Sequence, residues 1–149
     1  MKVRDCMTKN VICVAPEETL AVAARLMARY NVGMLPVRRQ DGSLCGILTD
    51  RDIAVRCVAA GKDAETQTVS SCMSGRIVSV SPDTDAAGAA AKMAAEQVRR
   101  LPVLQNGRMV GMVTLADLSS GGACEMEAAQ ALAEITSGIR RMDARRGRF

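Results

Sequence analysis

The sequence has almost no aromatic residues and no histidine. Tyr30 and Phe149 are its only aromatics, so valine, leucine, isoleucine, methionine and alanine must build the core. This scarcity argues against modules that stack nucleic-acid bases on aromatic side chains. Without histidine the chain lacks the commonest general acid–base group, and it shows no recognisable nucleophile motif. We therefore expect a protein that is not an enzyme.

Metal-binding and membrane-targeting patterns are also missing. The six cysteines show no C-x-x-C spacing, and no carboxylate cluster or histidine completes a metal site. No stretch approaches the roughly 18 apolar residues of a membrane span. The N-terminus, MKVRDCMTKN, lacks the apolar core of a signal peptide. We expect a cytoplasmic protein with reduced thiols, no metal and no membrane partner.

The net charge of +4 resides in the last ten residues. This segment, RRMDARRGRF, holds five of the 20 basic residues and one of the 16 acidic residues, which leaves 15 of each in residues 1–139. The body of the chain is therefore not a nucleic-acid-binding surface by net charge, and only the tail has that character.

The chain contains a tandem repeat. Residues 6–53 and 72–118 align with one gap, opposite Gln40, and 17 of 47 aligned positions are identical. The identical pairs include Pro16 and Pro82, Leu35-Pro36-Val37 and Leu101-Pro102-Val103, Gly42 and Gly107, Thr49 and Thr114, and Asp52 and Asp117. This agreement indicates a duplication.

Each copy predicts the order β-α-β-β-α. A short alternating segment, 11–14 or 77–80, reads as a strand that a proline ends. An amphipathic helix that buries one narrow face is predicted by the i, i+3, i+7 spacing of Leu20, Ala23 and Met27, and again by that of Ala86, Ala89 and Met93. Two strands follow, 35–38 and 44–48 in the first copy, joined by Asp41-Gly42, and Asn106-Gly107 serves the second copy. A last helix begins near Thr49 or Thr114, and Gly61 is a plausible end for the first of these.

The predicted fold class is α+β, with two repeats packed about a pseudo-twofold axis and a C-terminal helix. Each repeat is too small to bury much of its own surface. We assign the first repeat to residues 1–61, the second to 62–120, and the helix with its arginine-rich tail to 121–149.

These motifs resemble the cystathionine β-synthase (CBS) domain, and the tandem copies resemble the CBS pair called a Bateman module. The resemblance covers roughly residues 1–120 and rests on h-P-V, D/N-G and G-h-h-T-x-x-D in both copies, as in GILTDRDI and GMVTLADL. It implies a cleft between the halves for adenosine-containing ligands, namely AMP, ADP or ATP, with S-adenosylmethionine and NAD less expected. It also implies a homodimer and a regulated protein on another chain, so we expect a stand-alone module.

The resemblance also assigns site residues. Asp52 and Asp117 would bind ribose hydroxyls, and Thr49 and Thr114 would bind phosphate. The groups that would enclose the bases are Val11, Ile12, Met34 and Pro36 at one site and Ile77, Val78, Arg100 and Pro102 at the other. Arg51 is a further candidate for phosphate, because a guanidinium suits that group.

The chemistry of the residues fits these roles, and it also fits a simpler one. A carboxylate accepts hydrogen bonds from vicinal hydroxyls, and a helix start favours phosphate. However, T-x-x-D is also a helix-capping box, in which the threonine and aspartate only satisfy backbone N–H groups. Arg51 could equally be a solvated surface residue, and Arg99 and Arg100 could either contact phosphate or stand in solvent.

The last thirty residues leave two alternatives open. Ala128, Leu132, Ile135 and Ile139 form an apolar stripe that would pack on the module itself or form a dimer contact. The leading hypothesis is a nucleotide-sensing regulatory module. The alternative is a structural dimerisation module without a ligand, which contacts nucleic acid through the arginine-rich tail.

Overall fold

The structure, a computed structural model, describes residues 1–120 and 128–137. It contains both α-helices and β-strands, which confirms the α+β class. The elements of the first copy are α1 (Leu20–Tyr30), β1 (Met34–Arg38), β2 (Leu44–Thr49) and α2 (Asp50–Ile53), continued by a π-helical segment (Ala54–Val58). The remaining elements are a 3₁₀-helix (Val3–Asp5), α3 (Val69–Cys72), α4 (Ala86–Glu96), β3 (Arg100–Gln105), β4 (Arg108–Thr114), α5 (Leu115–Ser120) and α6 (residues 128–137).

The helices α1 and α4 bury the faces that the sequence predicts. Leu20, Ala23 and Met27 are buried on α1, and Ala86, Ala89 and Met93 are buried on α4. Thr19 caps α1 by accepting a hydrogen bond from the Val22 N–H at 3.3 Å. Both helices end at a residue with a left-handed backbone, Asn31 and Gln97, which are equivalent positions of the repeat.

The two hairpins confirm the predicted strands to within about one residue at each end, the usual uncertainty of element boundaries. In the first, β1 pairs antiparallel with β2, and Met34 lies opposite Thr49. In the second, β3 pairs with β4. Gly42 and Gly107 have φ angles of +89° and +77°, which is the backbone conformation that the turns require. The hairpins therefore place each T-x-x-D motif at the end of a strand.

The predicted strands at 11–14 and 77–80 are wrong in extent, because each is reduced to a single parallel bridge. Val14 N–H donates to Pro36 O, and Arg38 N–H donates to Val14 O. To continue this parallel ladder toward residue 12, the nitrogen of residue 36 would have to donate, and proline has no N–H. Val80 is held in the same way between Pro102 and Leu104, so the same proline limits the second copy.

The described chain forms two compact units, each with its own core. One unit contains residues 11–77 and 106–109, and its core includes Leu20, Leu35, Leu48 and Val69. The other contains residues 1–10, 78–105, 110–120 and 128–137, and its core includes Val3, Met93, Leu101 and Leu118. Residues 1–10 thus belong to the unit of the second copy's helix and strands.

The first ten residues are held in that unit by backbone hydrogen bonds. Val3 N–H donates to Thr84 O at 2.9 Å, and Thr8 exchanges hydrogen bonds with Met112 of β4. In the other unit, Ser74 exchanges hydrogen bonds with Ile47 of β2. Cys-Met-Thr and Cys-Met-Ser, at 6–8 and 72–74, are equivalent in the repeat, so each hairpin receives the same kind of leading segment.

The apolar stripe predicted on the C-terminal helix is partly wrong. Ala128, Ala131 and Ile135 are buried in the core of their unit, whereas Leu132 is 43% exposed. Helical residues three and four apart share a face, so Ala131 replaces Leu132 in the buried stripe. The described part of α6 therefore packs on its own unit, and Ile139 lies outside the described residues.

No helix in the described ranges is long and apolar enough to cross a membrane.

Candidate ligand sites at the two T-x-x-D motifs

Both T-x-x-D motifs form capping boxes. Thr49 Oγ1 accepts a hydrogen bond from Asp52 N–H at 3.1 Å, and Asp52 Oδ2 accepts one from Thr49 N–H at 2.8 Å. Thr114 and Asp117 form the same pair of hydrogen bonds at 3.2 and 2.8 Å. The capping interpretation is thus confirmed for both copies. Each carboxylate still has lone pairs that the cap does not use, so the geometry leaves acceptors for a ligand.

In both copies, the residue before the hairpin accepts a hydrogen bond from the first residue of the helix that begins in the T-x-x-D motif. Asp50 N–H donates to Gly33 O at 2.9 Å, and Leu115 N–H donates to Arg99 O at 3.0 Å. This hydrogen bond brings the start of the h-P-V strand beside the start of the motif helix in both copies. Met34 is consequently next to Thr49 across the first hairpin.

Five of the eight residues predicted to enclose a base are half-buried, two are buried, and Arg100 is exposed. Val11, Ile12, Ile77 and Val78 are half-buried, and Met34 is also half-buried. Ile12 packs against the core of its unit and Val78 against the core of the other. Pro36 and Pro102 are buried, and each accepts the hydrogen bond of a neighbouring extended segment through its carbonyl. Their assignment to base contacts stays a prediction.

A cavity of about 580 Å³ lies at the second motif, entirely within one unit. Its described lining comprises Arg99, Arg100, Thr114, Leu115, Ala116, Ser119, Ala128, Ala129 and Leu132. The structure therefore brings together Thr114 and Arg100 of the predicted site. Asp117, Ile77, Val78 and Pro102 are not among the lining residues. The volume falls within the range of about 300–1,000 Å³ that small-molecule sites occupy.

An arginine that the sequence interpretation missed lies beside the first motif. Arg56 Nε is 3.9 Å from Asp52 Oδ1, and Arg56 Nη1 donates to the carbonyls of Cys72 and Met73 at 3.2 and 3.4 Å. The i,i+4 spacing of aspartate and arginine on a helix is the sequence signal that could have found it. Arg51, the predicted phosphate ligand, is exposed.

Cys13 lies in the extended segment 11–14 and is half-buried, with its Sγ 3.9 Å from Met109 Sδ. Burial raises its pKa, and the nearby Arg38 guanidinium lowers it by less. A raised pKa keeps the thiol protonated at neutral pH, so Cys13 is a weak nucleophile. All five cysteines in the described ranges are free.

The sequence matches the CBS domain family twice, over residues 3–58 and 69–121. The chain belongs to the CBS domain family. Among curated relatives, the CBS domain-containing protein YhcV of Bacillus subtilis is 43% identical over 134 residues, which cover 90% of this chain and 94% of YhcV. The two copies of the repeat are therefore two CBS domains.

Solved structures of CBS proteins share this fold. The crystal structure of Hypoxic Response Protein I, with two coordinated zinc ions, aligns with a TM-score of 0.74 and 38% identity, covering 81% of this chain and 98% of that one. The CBS domain pair of protein MJ0100, in complex with 5′-methylthioadenosine and S-adenosyl-L-methionine, aligns with a TM-score of 0.70 and 29% identity, covering 82% and 97%.

The two neighbours hold different kinds of ligand. In this CBS protein, the described residues contain no group of three or more histidine, cysteine, aspartate or glutamate side chains placed to hold a metal ion. Both ligands of the MJ0100 pair contain adenosine, as do the ligands that the resemblance implies for this chain, although S-adenosylmethionine was less expected than AMP, ADP or ATP.

Proposed function

We propose that this CBS protein is a regulatory module that binds an adenosine-containing nucleotide at its T-x-x-D motifs and thereby alters the activity of another protein. The observation that carries the proposal is the cavity in which Thr114 lies with Arg99 and Arg100. A hydroxyl and two guanidinium groups suit a phosphate, because both donate hydrogen bonds and the arginines add charge.

The roles of the residues are those that the resemblance to CBS domains implies, and their chemistry is compatible with them. Asp117 and Asp52 would accept hydrogen bonds from ribose hydroxyls with the lone pairs that their caps leave free. Thr114 and Thr49 would contact phosphate at the starts of α5 and α2. Val11, Ile12, Met34 and Pro36, or Ile77, Val78 and Pro102, would surround the base. Arg100, which the resemblance placed beside the base, would instead contact the phosphate together with Arg99. Arg51 is exposed and would reach a phosphate only from solvent.

Ligand binding would act by changing a conformational equilibrium. A ligand shifts such an equilibrium only by its difference in affinity for the two states. The regulated protein would recognise one state, and a second copy of this chain is the expected assembly partner. No chemical step is assigned to the chain, so we propose a sensor rather than an enzyme.

One observation favours the alternative, a structural dimerisation module without a ligand. Both capping boxes are complete within the chain, so the threonine and aspartate of each T-x-x-D motif already have a use in folding. The two interpretations differ in what an isosteric change does. Asparagine in place of Asp52 or Asp117 keeps an oxygen that can accept from the cap N–H but removes the negative charge that favours ribose hydroxyls.

Calorimetric titration distinguishes the two. AMP, ATP, S-adenosylmethionine and NADH are titrated separately into the wild type, Asp52→Asn and Asp117→Asn, with Glu17→Ala as a control that removes an exposed carboxylate elsewhere. We expect saturable binding that at least one asparagine variant weakens by about tenfold or more, the value of one strong charged hydrogen bond. Absence of binding and of any thermal shift in the wild type would leave the motifs as helix caps.

A further inference from the structure

The cavity at the second motif has two walls of different origin. Arg99, Arg100 and the 114–119 segment form one wall, and Ala128, Ala129 and Leu132 of α6 form the other. The match to the CBS domain ends at residue 121, so α6 lies beyond the family's own fold. A segment outside the CBS domain therefore contributes to the cavity that holds Thr114.

The buried side chains of α6 hold it on the core of its unit. Ala128, Ala131 and Ile135 are no more than 4% exposed and belong to the core that also includes Ala89, Ala90 and Leu118. Leu132 follows Ala131 and is 43% exposed, with its side chain at the cavity. A packed helix that presents a leucine and an alanine to a cavity supplies an apolar wall that does not have to be ordered when a ligand enters.

The part of the lining that belongs to the CBS domain carries two cationic side chains. Arg99 and Arg100 line the cavity, and no acidic residue is among its described lining residues. Neither guanidinium forms an ion pair with a carboxylate in residues 1–120 or 128–137. Such a cavity favours a ligand with an anionic group at one end and an apolar face at the other.

We propose that α6 completes the second ligand site and determines which ligand it accepts. Arg99 and Arg100 receive the phosphate of an adenosine nucleotide, and Leu132 and Ala129 contact its apolar part. A sulfonium ligand such as S-adenosylmethionine is disfavoured because its positive charge would lie beside two arginines. This inference rests on the proposed nucleotide function and adds to it a specificity element from outside the CBS domains.

The test uses the full chain, ATP as the probe and a charge placed on each face of α6. Leu132→Glu puts a carboxylate at the cavity, and Ala133→Glu puts the same carboxylate on an exposed position of the same helix. Because like charges close together repel strongly, we expect Leu132→Glu to weaken ATP binding by about tenfold or more, whereas Ala133→Glu binds like the wild type. Equal affinity of both variants and the wild type would overturn the inference and leave the nucleotide function intact.

A second pair of variants tests the wall by volume. Ala129→Phe fills the cavity without adding charge, and Ala133→Phe is its control. We expect only Ala129→Phe to lose affinity for ATP. This result would support the inference even where Leu132→Glu fails to fold. ATP affinity that is unchanged in Ala129→Phe overturns it. A wild type that binds none of the adenosine probes instead refutes the proposed function itself.

The cationic wall has its own readout. The double variant Arg99→Ala/Arg100→Ala is titrated with ATP and with uncharged 5′-methylthioadenosine. We expect the affinity for ATP to fall by about tenfold or more while that for 5′-methylthioadenosine is unchanged, because only ATP offers phosphates to the arginines. Equal losses for the two ligands would contradict the assignment of Arg99 and Arg100 to phosphate.

Discussion

The two motif aspartates accept the same backbone hydrogen bond but have different neighbours. Asp52 has Arg56 four residues further along, and its side chain is 17% exposed. The residue four positions after Asp117 is Gly121, which carries no charge. An arginine near Asp52 partly satisfies the carboxylate, so a ligand hydroxyl at the first motif has to compete for it. We therefore expect the second motif to bind an adenosine ligand more tightly than the first.

Asp85 provides a test of pH dependence. Asp85 Oδ1 lies 3.0 Å from Lys2 Nζ, and the Lys2 hydrogen bond and charge hold the pKa of Asp85 below its ordinary value of 3.8. Because the folded pKa is lower than the unfolded one, the pair stabilises the fold above the unfolded pKa, and that contribution is lost as pH falls through the folded pKa. The effect is small, since both side chains are well exposed.

The measurement is the free energy of unfolding of the wild type and of Asp85→Asn between neutral pH and pH 3. We expect the wild type to be slightly more stable at neutral pH and the difference to disappear toward the acidic end. A difference that stays constant over this pH range would show that the carboxylate charge does not contribute.

Local patterns explain which elements could be predicted. The spacing of Leu20, Ala23 and Met27 and the Asp41-Gly42 and Asn106-Gly107 turns act within a few residues, and the structure confirms the helix and hairpins that they predict. The segments 11–14 and 77–80 have strand composition, but their pairing depends on a proline more than twenty residues away in sequence. Single-sequence patterns do not contain that information.

The candidate site also has features that the sequence predicted and features that it did not. The duplication identified both threonine–aspartate pairs, and their capping geometry is confirmed. The contribution of α6 to the cavity was not predicted, because the apolar spacing placed Leu132 in the buried stripe, and the structure shows Ala131 buried there instead. The packing of α6 on its unit determines which residue is buried, and as a result Leu132 lies at the cavity instead of in the core.

Gly111 of β4 is required by the close approach of the N-terminal segment. A Cβ at this position would lie 2.8 Å from Thr8 O and 2.9 Å from Met7 Sδ. The backbone oxygen cannot move without breaking the hydrogen bonds between Thr8 and Met112. We expect Gly111→Ala to lower the free energy of unfolding by about 1–3 kcal/mol, as overpacking usually does.

The matched control is Gly75→Ala, because a Cβ there meets nothing within 4 Å. Urea unfolding of the two variants and the wild type measures the difference, and Gly75→Ala should differ little from the wild type. Equal stability of Gly111→Ala and the wild type would mean that the segment around Thr8 does not pack against β4 as described.

The net positive charge of the chain lies in its C-terminal sequence and not in the segments that form the two cores. Each unit has an apolar core built without aromatic side chains, and residues 1–139 balance in formal charge. The excess of positive charge is confined to the sequence of residues 140–149. Ligand binding at the motifs and any binding of nucleic acid therefore depend on different parts of the chain, and removal of the tail separates them.

We expect a chain truncated after Ile139 to bind ATP as the full chain does, because none of the proposed ligand residues is removed. Five arginines neutralise at most five phosphates, and log K for single strands falls by about 0.7 per phosphate for each unit of log salt. RNA bound through the tail would thus lose roughly 100-fold in affinity between about 0.05 and 0.2 M salt. Filter binding of RNA to both chains over this range measures it. Tight RNA binding that resists salt, or that persists in the truncated chain, would require a nucleic-acid surface on the body and would favour the alternative function.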